Sequence, residues 1–242
     1  MPILALTKVC KRYGAIVVAD GLDLALAEGE ALGIIGPNGA GKTSLFNLIA
    51  GTIRLDSGSI RFRDRDIASL GAAARCRLGI ARSFQIPHPF AGMTVFENIV
   101  VGAAFGGGMA ERDAYRKAFE VAELTGLAAK ANVLAGALTL LERKRLEMAR
   151  AIATGPKLLL LDEIAGGLTD GECQELVVTI RAIRSEGVAL IWIEHIVHAL
   201  VSVVDRLLVL DFGHKIAEGM PREVLADARV QAVYLGIEGV AA

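Results

Sequence analysis

"LGIIGPNGAGKTSLFNLIAG", residues 32–51, is the stretch whose reading decides the fold. It runs strand, glycine-rich loop, helix. Gly36, four further residues and then Gly41-Lys42-Thr43 fit the Walker A spacing. Glycine lets the backbone turn so that successive N–H groups point inward at phosphate. The helix expected from about Lys42 adds the positive end of its dipole. Gly36, Asn38, Gly39, Ala40, Gly41, Lys42, Thr43 and Ser44 are therefore the candidate phosphate-binding residues. Lys42 is expected to reach the β- and γ-phosphates, and Thr43 to ligate Mg²⁺. The bland alternative is a glycine-rich turn that binds nothing. The strand before it and the helix after it argue for a nucleoside triphosphate, without naming the base or the task.

Outward from the loop, unbroken apolar runs recur: "ALGII" (31–35), "KLLLLD" (157–162), "VALIWI" (188–193) and "RLLVLD" (206–211). Runs of that kind suit parallel strands covered on both faces. "GLDLALAEGE" (21–30) and "GSIRFR" (58–63) alternate instead, as half-buried antiparallel strands do. In "GECQELVVTIRAIRSEG" (171–187), Leu176, Val177, Ile180 and Ile183 make one helical stripe. Thr169 and Glu172 are placed to form its capping box, and Gly187 to end it. Residues 94 to 152 read as mostly helical. The expectation is an α/β fold: a P-loop NTPase core with a mostly parallel sheet, an antiparallel β flank and a helical subdomain at about 90–152. All of it falls in a single domain spanning 1–242, long enough to bury a core.

The formal net charge of -1 supplies no field toward nucleic acid or anionic lipid. The three cysteines, Cys10, Cys76 and Cys173, are far apart and show neither metal spacing nor a disulfide framework. They read as small core-filling residues in a reducing cytosol. Hydrophobic residues make up 53%, yet no run approaches the roughly 20 needed to span a bilayer. The start, "MPILALTKVCKRYG", lacks the order of a signal peptide. A chain that stays inside the cell and spans nothing by itself is expected.

"LLLLDE" (158–163) ends an apolar strand with two carboxylates. Beside a Walker A loop they read as Walker B: Asp162 holding Mg²⁺ through water and Glu163 polarising the attacking water. Acid pairs at strand ends are otherwise common. His195 follows "VALIWIE", at the edge where parallel sheets place ligands, although a lone histidine there is more often a surface residue. Gln85 in "ARSFQ" is a weak signal by itself. Tyr13 follows a short strand and offers a ring for stacking on a flat base, where most tyrosines are simply half-buried.

As a set these pieces resemble the ATPase subunit of an ABC transporter over essentially the whole chain. Walker A at 36–43, a glutamine loop at Gln85, Walker B at 158–163 and a switch histidine at His195 fall in that family's order and spacing. In detail the chain is similar to the ATPases of bacterial branched-chain amino-acid importers, through "ARSFQ…MTVFENI" (81–99) and the tail "EGMPREVL…VYLG" (218–236). The resemblance implies ATP hydrolysis coupled to transport. Glu163, His195 and Gln85 would be catalytic, with Mg²⁺ at Thr43, Gln85 and Asp162. It implies a second ABC ATPase subunit (a heterodimer, with a homodimer as the other option) and two transmembrane permease subunits. A periplasmic or extracellular solute-binding protein would act indirectly, and nucleic acid would not be a partner. The location implied is peripheral, at the cytoplasmic face of the cell (inner) membrane. The implied cargo is a branched-chain amino acid or a related small polar solute, such as another amino acid, urea or an amide.

One motif departs from the family. A Leu-Ser-Gly-Gly-Gln-type signature is usual before a helix resembling "RLEMARA". "LAGAL" (134–138) looks closer by eye, but the distance to Asp162 puts Thr139 where the signature serine belongs, and Arg145 and Arg150 then fall into place. In "LTLLE" (138–142), Thr139 keeps the hydroxyl that would meet a γ-phosphate. Leu141 replaces a glycine and is expected to crowd phosphate; Glu142 replaces a neutral glutamine. "IAGGLTD" (164–170) is also off-pattern, with Ile164 for proline and Thr169 for aspartate. An asymmetric pair of sites is the expectation. Three rival readings remain: an ABC-type ATPase in nucleic-acid or translation work, a P-loop GTPase or kinase, and a non-hydrolysing regulatory subunit. The short loop-to-signature gap, the single cassette and the balanced charge weigh against the first. The second lacks an Asn-Lys-x-Asp base-reading motif. The intact Walker residues weigh against the third.

Overall fold

The computed structural model describes residues 2–235. Gly236, the last residue of the tail motif, and both ends of the expected 1–242 domain lie outside the described residues. In chain order the elements are β1 (Pro2–Tyr13), β2 (Ile16–Ala27), β3 (Ala31–Ile35), α1 (Lys42–Ala50), β4 (Ser57–Phe62) and β5 (Arg65–Asp66). Next come α2 (Ala72–Leu78), β6 (Ile80–Arg82), α3 (Val95–Val101), a π-helical stretch at Gly102–Gly106, α4 (Glu111–Leu124) and α5 (Leu140–Ala153). Then follow β7 (Leu158–Asp162), α6 (Asp170–Ser185), β8 (Ala189–Ile193), α7 (Val197–Val201), β9 (Arg206–Asp211), β10 (His214–Gly219), α8 (Pro221–Ala226) and α9 (Ala228–Leu235). The chain forms two compact units. One joins the residues up to Gly71 to those from Ile191 onward, and the other is Ala72–Leu190. The second is wider than the helical stretch expected at about 90–152, because it takes in α2, β6, β7 and α6.

The first unit contains an antiparallel sheet in the order β2-β1-β4-β5. Its register pairs Leu4 with Leu26, Leu6 with Leu24 and Val9 with Leu22, so the alternate leucines of β2 fall on the buried face. Asp23, Ala25 and Ala27 stay exposed between them, which is the period-two pattern legible in the sequence. The other strands of this unit behave differently. β3 is parallel to β9, with Ile34 opposite Leu208, and β10 folds back antiparallel on β9. Every residue of β3 is buried, as are Leu207 to Leu210. Apolar runs without alternation are what two covered faces require. A Cβ on Gly33 would lie 3.0 Å from both Leu200 and Leu207, so α7 and β9 press against β3 at a point that leaves no room for a side chain.

In the second unit β6 runs parallel to β7, with Ile80 opposite Leu158 and Arg82 opposite Leu160. The Ser83 N–H donates to the Leu160 carbonyl at 2.9 Å and extends the ladder by one step. β8 starts beside the head of β7, where the Ala189 N–H donates to the Lys157 carbonyl at 3.0 Å. It then carries the chain into the first unit. The α6 stripe is buried as its spacing demands, and Thr169 and Glu172 form the expected capping box. Gly187 follows at φ 80, a left-handed turn that glycine adopts without strain. A second capping box, Thr94 with Glu97, starts α3.

Two expectations change. The 94–152 region is helical but broken, since a π-helical stretch interrupts it. There a Cβ on Gly102 would sit 2.4 Å from the Arg150 carbonyl, so the two backbones touch. Of the cysteines only Cys173 is buried. Cys10 and Cys76 are half-exposed; the Cys10 sulfur accepts the Gly21 N–H at 3.2 Å, and partial burial pushes the Cys76 thiol up from its ordinary pKa. Among the described residues no helix is long and apolar enough to cross a membrane.

The loop after β3 is clamped from two sides within the first unit. A Cβ on Gly36 would lie 2.2 Å from the Leu210 carbonyl, and one on Gly41 would lie 2.3 Å from the Val18 carbonyl. The Gly213 N–H donates to the Ala40 carbonyl at 2.9 Å, while the Gly213 carbonyl accepts from the Asp20 N–H at 3.0 Å. Gly41 also sits at φ 99. Gly41→Ala therefore combines a strained backbone with a clash against a carbonyl. We expect urea denaturation of that variant to give a loss of about 2–5 kcal/mol, from backbone strain plus overpacking.

Candidate functional site

The phosphate loop, Tyr13 and His195 belong to the first unit. α1 begins at Lys42 on Gly41, a residue with no side chain to cap it, so the first N–H groups of the helix face outward from its positive end. The Lys42 ammonium folds back over the loop and donates to the Gly36 and Pro37 carbonyls at 2.8 and 3.0 Å. Thr43 is exposed and Ser44 half-buried, with Asn38 and Gly39 at the surface of the loop and Ala40 beneath it. β8 ends on the same edge, because the Glu194 N–H meets the Ile34 carbonyl at 3.4 Å. The buried Glu194 carboxylate accepts the backbone N–H groups of His195 and Ile196 at 2.9 and 3.4 Å, fixing the turn that leaves the His195 ring exposed. Glu194 carried no recognisable sequence signal beyond its place before His195. Tyr13 closes β1, which is twelve residues long rather than short. Its half-exposed ring lies 5.2 Å from the Lys11 ammonium.

The carboxylate pair belongs to the second unit. Asp162 is the last residue of β7, and Glu163 turns out of the strand at φ 46, a left-handed conformation unusual for glutamate. The Gln85 amide donates to Glu163 Oε2 at 2.7 Å, a contact that the sequence did not point to. Sequence reasoning passed over Arg82. Its Nη2 meets Asp162 Oδ2 at 2.6 Å, and the two side chains are only 8% and 7% exposed. The available signal was a charge within the apolar β6, inside the quoted "ARSFQ". The candidate metal ligands Thr43, Gln85 and Asp162 offer a hydroxyl, an amide oxygen and one carboxylate. Among the described residues no trio of His, Cys, Asp or Glu stands ready to hold an ion. Thr43 lies in the first unit and Gln85 and Asp162 in the second, and each by itself is an oxygen donor of the kind that Mg²⁺ takes beside waters and phosphate.

The segment expected to be the signature, "LTLLE", forms a self-contained helix start. Thr139 is the N-cap of α5: its hydroxyl accepts the Glu142 N–H at 3.4 Å, and Glu142 Oε2 accepts the Thr139 N–H at 2.9 Å. Lys130 adds an ion pair to Glu142 at 3.0 Å. "LAGAL" supplies a short 3₁₀ turn at Ala135–Ala137 and no α-helix start. One expectation is corrected here. Leu141 points into the core and is 7% exposed, so it crowds nothing outside the helix. Leu140 is the projecting side chain at 43% exposure, and its Cδ2 would lie 3.4 Å from a Cβ on Gly167 in the "IAGGLTD" loop. Helical geometry decides between them, since the next residue lies about 100° further round. Further along α5, Arg145 pairs with Glu175 at 3.0 Å, and Arg150 donates to the His88 carbonyl at 2.9 Å. The second bond ties α5 to the segment that follows Gln85.

The Thr139 N–H, with help from Lys130, holds the Glu142 carboxyl below the usual range. A depressed carboxylate contributes stability above its unfolded pKa, and that contribution disappears as pH falls through the folded value. Glu142→Gln should cost roughly 0.3–1 kcal/mol at pH 7, the worth of an acid in a helix's first turn. The gap between variant and wild type in urea melts should close as pH drops below the ordinary glutamate value of about 4.

Known proteins with matching sequence and structure place the chain. The family model described as "ABC transporter" matches residues 19–166, and that described as "Branched-chain amino acid ATP-binding cassette transporter" matches residues 214–239. The high-affinity branched-chain amino acid transport ATP-binding protein LivG of Salmonella typhimurium is 34% identical, over 97% of this chain and 98% of its own. The lipopolysaccharide export system ATP-binding protein LptB of Escherichia coli K12 is 32% identical, over 98% of each. The ADP conformation of MJ1267, an ATP-binding cassette of an ABC transporter, superposes with a TM-score of 0.89 at 30% identity, covering 98% of this chain and 99% of that one. The chain belongs to the ABC transporter family, as one of its ATP-hydrolysing, ATP-binding cassettes.

Proposed function

We propose that this cassette drives uptake of branched-chain amino acids or related small polar solutes through separate permease subunits. The observation that carries the cargo class is the match of residues 214–239 to the branched-chain cassette model, together with the LivG relative. LptB, at nearly the same identity, acts in lipopolysaccharide export, so overall identity does not choose the cargo. A role in nucleic-acid or translation work has no support among these relatives. The single 1–242 ATPase domain is retained as part of the proposal. In proteoliposomes with its genetic-neighbour permeases and binding protein, ATP-dependent accumulation of labelled leucine is the expected result. Transport of lipopolysaccharide instead would overturn the cargo class.

The proposed chemistry assigns each residue a task. Gly36 to Ser44, Asn38, Gly39 and Ala40 included, cradle the phosphates with backbone N–H groups, and Lys42 supplies the counter-charge. Tyr13 stacks on the base. Thr43, Gln85 and Asp162 would hold Mg²⁺, which neutralises phosphoryl charge when bound. Glu163 orients and deprotonates the attacking water, with Gln85 keeping its carboxylate in place, and His195 donates to the γ-phosphate. ATP then favours a closed head-to-tail pair of cassettes, and loss of the γ-phosphate reopens it. The loop "IPHPFAGM" (86–93) and the helices after it would pass this motion to two membrane subunits at the cytoplasmic face of the inner membrane. The exposure of Phe84, Ile86 and Phe90 supports that docking role.

The second cassette is proposed to be a different chain. Thr139 and Glu142 already satisfy one another at the start of α5, and Glu142 sets a carboxylate where a partner's phosphates would approach. Leu140 stands in front of the same turn. This chain's Walker A loop would therefore meet an intact signature on its partner, while the partner's loop meets Thr139 and works slowly.

Two outcomes test the scheme. Glu163→Gln should slow turnover by about 10²–10⁴, the worth of a positioned base, while nucleotide binding persists. Near-normal turnover would remove Glu163 from the role. In the assembled transporter, Lys42→Ala should abolish most hydrolysis, and the equivalent change in the partner should leave most of it. Equal losses would refute the asymmetry.

A further inference from the structure

Both Walker B acids are engaged by one four-residue segment. Gln85 reaches Glu163, and three residues earlier Arg82 reaches Asp162. The first contact lies near the surface. The second is a nearly dry ion pair, and a buried pair strongly resists the loss of either partner because the survivor is left as an uncompensated charge. The pair is aimed by backbone geometry. Arg82 closes β6 in parallel register with Leu160, two residues before Asp162 on the neighbouring strand, and the Ser83 N–H locks the next step of the ladder at 2.9 Å. The guanidinium also lies 5.1 Å from the centroid of the Phe84 ring, which is half-exposed. A flat cation thus sits between a surface aromatic and the carboxylate assigned to the metal.

We propose that Arg82 is a positioning residue: a built-in counter-ion that competes with the divalent cation for Asp162 and so sets the metal concentration at which nucleotide is held. This rests on the assignment of Asp162 as the metal-side carboxylate. The physics is like-charge opposition. A dication drawn to Asp162 meets a guanidinium already bonded there, in a place with little water to screen the two. For Asp162 to serve the metal, Arg82 must release one oxygen or share the group, and Phe84 is the surface on which the released guanidinium stays stacked. The segment 82–85 would then register the metal at two points, Arg82 through Asp162 and Gln85 through Glu163. Its continuation, residues 86–90, holds the exposed side chains Ile86 and Phe90.

The test uses the full chain with a non-hydrolysable ATP analogue, and reads the Mn²⁺ concentration giving half-maximal metal binding by electron paramagnetic resonance. Thermal unfolding is recorded in parallel. Arg82→Gln should lower the half-saturating Mn²⁺ concentration by about tenfold, as expected for removing one nearby positive charge, while affinity for the analogue without metal stays within about twofold. Asp162→Asn should raise it. Phe84→Ala, which keeps both charges but removes the stacking surface, should raise it by a lesser factor, because the ring no longer helps to hold the guanidinium away from Asp162. A merely structural Arg82 would lower the melting temperature and leave the Mn²⁺ requirement unchanged, and that result overturns the proposal. If Arg82→Gln does not fold, an unchanged Mn²⁺ requirement in Phe84→Ala overturns it in the same way. If Asp162→Asn alone leaves the requirement unchanged, the assignment of Asp162 fails, independently of Arg82.

Discussion

Backbone pressed against backbone around the phosphate loop is the constraint on which the rest of the site depends. Gly36 lies against the Leu210 carbonyl, Gly41 against that of Val18, and Gly213 against the backbone of Val18 and Ala19. None of these contacts admits a Cβ. Because the loop cannot relax outward, its N–H groups and the start of α1 are pre-set. A phosphate binder with fixed donors loses less entropy on binding than one that must fold around its ligand. The antiparallel β1–β2 pair and the β9–β10 turn therefore act as the mould in which the loop is cast.

The charged groups follow a related logic. Lys42 is spread over two carbonyls of its own loop, Asp162 is matched by Arg82, Glu163 by Gln85, and Glu194 by the N–H groups of the turn that follows it. A buried charge without such a partner would cost several kcal/mol or neutralise itself. In the proposed scheme, the partners of Lys42, Asp162 and Glu163 are ones that a nucleotide, a metal or a water would replace. The same pairings that make the fold tolerable would, on that scheme, let ligand binding exchange one set of contacts for another.

The start of α5 shows the opposite case. There the chain's own side chains engage the helix start. A capping box satisfies two of the N-terminal donors, the Thr139 and Glu142 N–H groups, and Lys130 further ties down Glu142. What is gained is a well-formed helix leading to Arg150 and its hold on the His88 carbonyl. Stabilising the helix and offering its amides to a neighbouring subunit are alternatives, because one N–H cannot serve two acceptors well.

Period and spacing were enough to read the sheet runs, the phosphate loop, the α6 cap and the α5 start, because each is decided by neighbours within a few positions. The alternation in β2 against the unbroken run in β3 already separated one covered face from two. The partners of the charged groups were not legible. Arg82 lies far from Asp162 in sequence, and only the parallel pairing of β6 with β7 puts them together. Which leucine of "LTLLE" turns inward was likewise fixed by the packing of α5, which buried Leu141 and left Leu140 facing out. Local chemistry names candidate ligand residues. Long-range strand register and helix rotation decide what those residues touch before it arrives, because both are set by burial of the whole core and not by any one segment.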